Sequence, residues 1–221
     1  MKKTQSAEVA SVAFAVASLL SKILGFVRDL FLSNYFGVSK SVDALSATLP
    51  INSIFQNIMT SAIVVSFIPL YLEELSNNKE KAREELSTAF NIVVLLFFIA
   101  TLLLIIFSHQ LVSVFVPGFK DELTQNLTSK LIDFVSFSGF LWAVVGFLYG
   151  LSQLHKHFLI TAIMPLFINI SIILGLVLFH NTLGIYSYVL GLASGLLIQA
   201  GVMLYYSKKY LGLEFSLNFN P

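Results

Sequence analysis

Lys22, Arg28 and Asp29 are the residues of this sequence best equipped for chemistry, because all three are charged within a stretch that otherwise reads as lipid-compatible. On insertion scales a charge at mid-membrane costs about 2.5–3.5 kcal/mol. Three of them facing lipid would cancel much of the favourable transfer of the whole helix. They are therefore expected to face protein interior or a water-filled cavity. Ser11, Ser18, Lys22, Gly25, Asp29 and Ser33 recur at steps of seven, four, three, four and four, which traces one stripe along a helix, with Arg28 flanking it. Two readings follow. Arg28 and Asp29 form a structural pair, or Arg28 snorkels from a span ending near residue 27. Alternatively, the stripe lines a hydrated cavity whose cations attract an anionic substrate, with Asp29 orienting them or tuning their charge.

A second stripe lies further on. Asn52, Gln56 and Thr60 are four apart, and Ser53, Asn57 and Ser61 repeat that spacing beside them. Such a stripe serves as hydrogen-bonding glue between helices or as cavity lining. Pro50 is expected to interrupt the helix near its start, freeing a carbonyl that lipid cannot satisfy. Pro165 and Asn169 lie one turn apart, so the Asn169 amide is expected to bond the carbonyl stranded by the proline. Asp133 is expected at the interface.

Searches for catalytic patterns return nothing: there is no GxSxG elbow, HExxH, P-loop or paired-carboxylate motif. Cysteine is absent, which removes disulfides, thiolate chemistry and cysteine metal sites. The histidines (His109, His155, His157 and His180) fall near the ends of apolar runs, and the closest two point apart on a helix. No enzyme, cofactor, metal site or nucleic-acid partner is read from the chain.

The elements that must position these residues are transmembrane helices. Apolar residues make up 57% of the 221 positions and charged residues only 11%, too few to cover a water-facing surface. A span needs about 20 residues. Six segments qualify: residues 8–36, 43–72, 86–108, 131–153, 159–180 and 185–206. The first begins like a secretory signal behind Lys2 and Lys3, but its apolar pattern runs on to Phe36, too far for a signal core. The fold class is thus all-α integral membrane, with a six-helix lobe over 1–210 and a tail or linker over 211–221. With the N-terminus inside, Lys2, Lys3, Lys79, Lys81, Arg83, Lys156, Lys208 and Lys209 lie in the cytoplasm, against Lys40, Lys120 and Lys130 outside. That bias puts both termini in the cytoplasm. Gly146 and Gly150, and Gly191 and Gly195, have the small-residue spacing that permits close helix approach.

The run Ser18-Leu-Leu-Ser-Lys22-Ile-Leu-Gly25-Phe-Val-Arg28-Asp29, followed by Tyr35-Phe-Gly37 and Val42-Asp43-Ala44, resembles the opening of the MurJ or MviN lipid II flippase family. That family sits within the superfamily of multidrug and lipid-linked oligosaccharide exporters. Leu49-Pro50, Ser66-Phe-Ile-Pro69-Leu, Val116-Pro117-Gly118-Phe119, Pro165-Leu-Phe-Ile-Asn169-Ile-Ser171 and Lys208-Lys209 follow in family order. The resemblance implies one lobe of a MurJ-like or MATE-like transporter working by alternating access. Its cationic cavity would take the pyrophosphate and sugar head of a lipid-linked cell-wall precursor across the bacterial plasma membrane, in peptidoglycan synthesis. The substrate-binding residues it implies are Lys22, Arg28, Asp29 and Asp43, joined by the Asn52, Gln56 and Asn57 amides. Members often carry an arginine pair in the second span, where this chain reads Ile54-Phe55-Gln56-Asn57 without a cation. An O-antigen or capsule-type oligosaccharide lipid, or a drug, is therefore an alternative cargo, and a non-transporting membrane scaffold is the rival from another class. The family has twelve or more spans, so the expected partners are membrane lipids, the lipid-linked substrate and a second six-helix lobe: a missing half, a separate chain or a second copy.

Overall fold

Apolar runs without strand periodicity fold here as helices throughout. The computed structural model describes residues 7–62, 68–119 and 121–211. Its elements are α1 (Ala7–Phe36), α2 (Lys40–Ala62), α3 (Ile68–Asn77), α4 (Lys79–Ile106), α5 (Ser108–Phe115), α6 (Glu122–Leu154), α7 (Phe158–Leu183) and α8 (Tyr186–Tyr206), closed by a π-helical turn, Ser207–Leu211. No strand occurs among the described residues. The described residues of the six expected spans lie almost wholly in helices; the second is divided between α2 and α3, with 63–67 outside the described residues, and the third reaches from α4 to the start of α5.

Several helices outrun the expected spans because polar caps extend them past the apolar stretch. Asn78 accepts from the backbone N–H of Glu80 (3.0 Å) and Lys81 (3.2 Å), so the charged run after it is already helical. Asp121 does the same for α6, accepting from the Thr124 N–H at 3.3 Å and its hydroxyl at 2.7 Å. Contrary to expectation, Pro50 does not interrupt its helix: α2 runs straight through it. The short α5 has no counterpart in the sequence reading.

By length and composition, α4, α6, α7 and the Tyr186–Tyr210 stretch can each cross a membrane. The apolar stretch of α6 is 72% buried and that of α4 only 11%, which places α6 at the centre and α4 at the rim. Around α6 pack α2, α4, α5 and α8; α8 packs on α7, and α7 carries α1. Phe90 of α4 meets Phe147 of α6 edge-on at 5.2 Å. Thr101 of α4 donates to the Ser136 carbonyl of α6 at 3.2 Å. Buried Gln199 of α8 donates its amide to the Tyr149 hydroxyl of α6, a polar tie inside the apolar core.

Close approach of α7 and α8 depends on glycine. A Cβ on Gly191 would stand 2.5 Å from the Ile172 Cα, and one on Gly195 2.8 Å from the Ile168 Cα. Gly184, at φ 54°, makes the turn between the two helices in a conformation that side chains rarely adopt.

The loops segregate to two ends of the lobe. At one end Lys40 bonds Asp121 at 3.0 Å, joining the α1–α2 and α5–α6 connections. At the other end His157 Nδ1 bonds the Tyr206 hydroxyl, joining the α6–α7 turn to the end of α8. The second end carries Lys79, Lys81, Arg83, Lys156, Lys208 and Lys209, so these basic residues of the group share a side, while Lys2 and Lys3 lie outside the described residues.

Candidate functional site

α1 presents three faces, and only one of them is covered. With about 3.6 residues per turn, Lys22, Asp29 and Ser33 fall within roughly 40° of one another. All three are exposed. Roughly 80° to one side lies a second exposed face that is purely apolar, with Val12, Leu19, Ile23 and Leu30. Ala17, Ser21, Arg28 and Tyr35 turn the other way, toward α7. Ala17 is buried, and Tyr35 stacks on the His180 ring at 3.9 Å. An apolar face suits lipid; a face with an ammonium and a carboxylate does not.

Arg28 is not merely a flank of the stripe. Its side chain is 24% exposed against 59% for Asp29, because it turns into the lobe. Nε and Nη2 approach Asp29 Oδ1 at 2.9 and 2.7 Å, while Nη1 donates to Asn169 Oδ1 at 3.2 Å. The guanidinium carbon stands 5.8 Å from the ring centre of buried Tyr188 on α8. Arg28 thus ties α1 to α7 and rests against α8. A guanidinium has five N–H donors, so two remain for an anion after these contacts.

Asn169 corrects the sequence reading. Its amide does not answer to Pro165 but crosses to α1, where Nδ2 donates to the Ser21 carbonyl at 3.1 Å and Oδ1 accepts from Arg28. Gly25 faces the amide, where a Cβ would stand in ordinary contact 3.9 Å from both amide atoms. Within the apolar α7 a buried amide demands partners, and the helix beside it supplies them. Tyr188 was missed altogether, as a tyrosine in an apolar span carries no signal of the cation it meets.

The remaining candidates are less concentrated. Lys22 has no ion pair or hydrogen bond among the described residues. Asp43 is exposed in the first turn of α2 and has no bond to the Arg28 cluster among the described residues. Asn57 is exposed on α2; the side chains of Asn52 and Gln56 lie outside the described residues. Asp133 lies in α6, half-buried, with Oδ1 buried and without a hydrogen-bond partner among the described residues. Between α1 and α7 runs an apolar groove of about 590 Å³, lined by Val12, Val16, Leu20, Leu159, Ile163 and Leu166 among others. Two exposed charges and a half-buried arginine with donors to spare can hold an anion, while the apolar groove lies on another side of α1.

Comparison with known proteins gives a consistent answer. The family model described as "Lipid II flippase MurJ" matches residues 32–220. The "Probable lipid II flippase MurJ" of Aquifex aeolicus is 30% identical over 216 residues, covering 95% of this chain and 42% of the relative. The "Lipid II flippase MurJ" of Thermosipho africanus is 29% identical over 193 residues, covering 86% of this chain and 39% of the relative. A solved structure, "Lipid II flippase MurJ, inward closed conformation", superposes with a TM-score of 0.80 at 25% identity, over 94% of this chain and 44% of that one. The chain therefore spans less than half the length of the relatives it matches.

Proposed function

Because the chain belongs to the lipid II flippase MurJ family, a bacterial membrane family, we propose that it forms the first lobe of a flippase for a lipid-linked cell-wall precursor. The pyrophosphate and sugar head crosses the plasma membrane by alternating access, and the chemistry is binding and release rather than catalysis. The observation that carries this reading is the three-faced α1. Lys22 and Asp29 are exposed on a helix whose neighbouring exposed face is apolar. A charged face uncovered by its own lobe calls for water and a second lobe opposite, and the greater length of the matched relatives supports that partner.

Electrostatics does the selecting. A pyrophosphate leaving water needs cations and donors already placed to replace its hydration. Lys22 offers an unpaired ammonium, and Arg28 offers donors fixed in direction by Asp29 and Asn169. Asp29 keeps the guanidinium aimed. The side with Lys79, Lys81, Arg83, Lys156, Lys208 and Lys209 faces the cytoplasm by the positive-inside rule, with both termini there.

The test uses the absence of cysteine. Single cysteines at 22 and 29 react in native membranes with a water-soluble thiol reagent, whereas those at 19, 23 and 30 do not. Equal protection at all five positions would put the stripe against lipid or fixed protein and end the flippase reading.

A further inference from the structure

The two regions of basic side chains at the cytoplasmic end differ in one respect. Around the α3–α4 turn the cations have carboxylates beside them: Lys81 lies 3.3 Å from Glu74 and 3.6 Å from Glu85. Around the α6–α7 turn and the end of α8 no ion pair occurs among the described residues, and no aspartate or glutamate stands between Asp133 and Glu214 in the sequence. Lys156, Lys208 and Lys209 are exposed there with no carboxylate partner among the described residues.

This region is structured rather than a loose set of lysines. The bond from His157 to the Tyr206 hydroxyl clasps the turn to the end of α8. The Tyr206 and Tyr210 rings lie 4.8 Å apart. Lys209 Nζ stands 5.4 and 5.3 Å from the Tyr205 and Tyr210 ring centres and donates to the Tyr205 hydroxyl at 3.2 Å. A π-helical turn carries Lys208 and Lys209, a geometry that recurs at functional sites. Lys156 holds a left-handed backbone, φ 61°, uncommon for a side chain of its type. The first turn of α7 beside it has no side-chain cap, so its free N–H groups add positive potential. Phe158, Tyr205 and Tyr210 are exposed, as aromatic side chains are at the level of lipid headgroups.

We propose that Lys156, Lys208 and Lys209, clasped by the His157–Tyr206 bond, form a binding site for the phosphate headgroup of an anionic phospholipid of the cytoplasmic leaflet. The ring of exposed aromatics favours a lipid over a free anion, since it sets the cations at headgroup depth and leaves apolar helix surface below for the acyl chains. The site lies at the opposite end of the lobe from the Lys40–Asp121 bridge and does not depend on the identity of the cargo.

Native mass spectrometry of the chain in detergent, titrated with phosphatidylglycerol or with phosphatidylcholine of the same acyl chains, tests this. Phosphatidylglycerol is retained preferentially, and each lysine removed lowers that affinity about fivefold. Lys208→Gln with Lys209→Gln therefore costs about 25-fold, and Lys156→Asn, which suits the left-handed backbone, about fivefold. Lys81→Gln, at a cation already neutralised, leaves the preference intact and controls for general loss of charge. Equal retention of the two lipids by the unmodified chain, or a preference as large in the double variant as in the wild type, overturns the proposal. Displacement of phosphatidylglycerol by millimolar inorganic phosphate overturns the lipid assignment in favour of a simple anion site.

Discussion

The guanidinium of Arg28 on α1 donates to the side-chain oxygen of Asn169 on α7 at 3.2 Å, across 141 positions of sequence. The orientation of that amide is set from its other end, where Nδ2 donates to the Ser21 carbonyl at 3.1 Å. One buried residue thereby reads α1 at two points about two turns apart. It fixes both how close the helix lies and which way its arginine points.

Replacing Asn169 by Leu removes the acceptor for Arg28 and the donor to Ser21 together. Interhelical hydrogen bonds in membranes contribute roughly 0.6–1.7 kcal/mol, so the variant loses about 1–2 kcal/mol in a detergent unfolding titration. Transport falls as well, because Arg28 is released from its aim. A variant of unchanged stability and transport would mean that the amide does not position Arg28.

Arg28→Ala abolishes transport while leaving insertion intact, as complementation of a flippase-depleted strain together with membrane fractionation would show. Arg28→Lys separates charge from geometry. An ammonium at this position cannot span Asp29 and Asn169 in the forked manner of the guanidinium. With one charge-assisted bond lost, activity drops roughly tenfold rather than vanishing.

Two glycines of α8 make a matched pair. Gly191→Ala drives a methyl group to 2.5 Å from the Ile172 Cα, a backbone atom that cannot step aside, and costs about 1–3 kcal/mol. Gly201 has open space around its Cβ position, so Gly201→Ala is neutral or stabilises by up to about 1 kcal/mol through helix propensity. Thermal midpoints of the two variants should move in opposite directions or only the first should move.

The Lys40–Asp121 bridge predicts an acid limit for the loops at its end of the lobe. The Thr124 hydroxyl, and then Lys40, hold the Asp121 carboxyl below its usual range. A carboxylate whose pKa is depressed by folding stabilises the fold above its unfolded pKa, about 3.9. That contribution is lost as pH falls through the lower, folded value. The difference in thermal midpoint between the wild type and Asp121→Asn is therefore flat from pH 8 to about pH 5. It closes only in stronger acid; the asparagine still caps α6, so the comparison isolates the charge.

Much of the fold was legible from residue order alone. Helix positions follow from runs such as Leu95 to Leu104 and from the charged or glycine-bearing breaks between them, because transfer free energy adds locally along a helix. The Lys22–Asp29–Ser33 stripe followed from helical periodicity for the same local reason. So did the close approach at Gly191 and Gly195. The rotation of α1 about its axis did not follow, since periodicity says which residues share a face but not which face a neighbour will cover.

That choice belongs to tertiary packing. The docking of α1 on α7 turned Ser21, Arg28 and Tyr35 inward, left Lys22 and Asp29 uncovered, and took Asn169 from Pro165 for the neighbouring helix. A buried amide bonds whatever polar group the assembled helices bring within 3 Å or so, and no local pattern announces a partner 141 residues away. Sequence alone determined that this chain lives in a membrane and which of its charges are out of place there. Only the packed structure decided which charge would be held and which would be left open, because hydrogen-bond partners are fixed by distance in space.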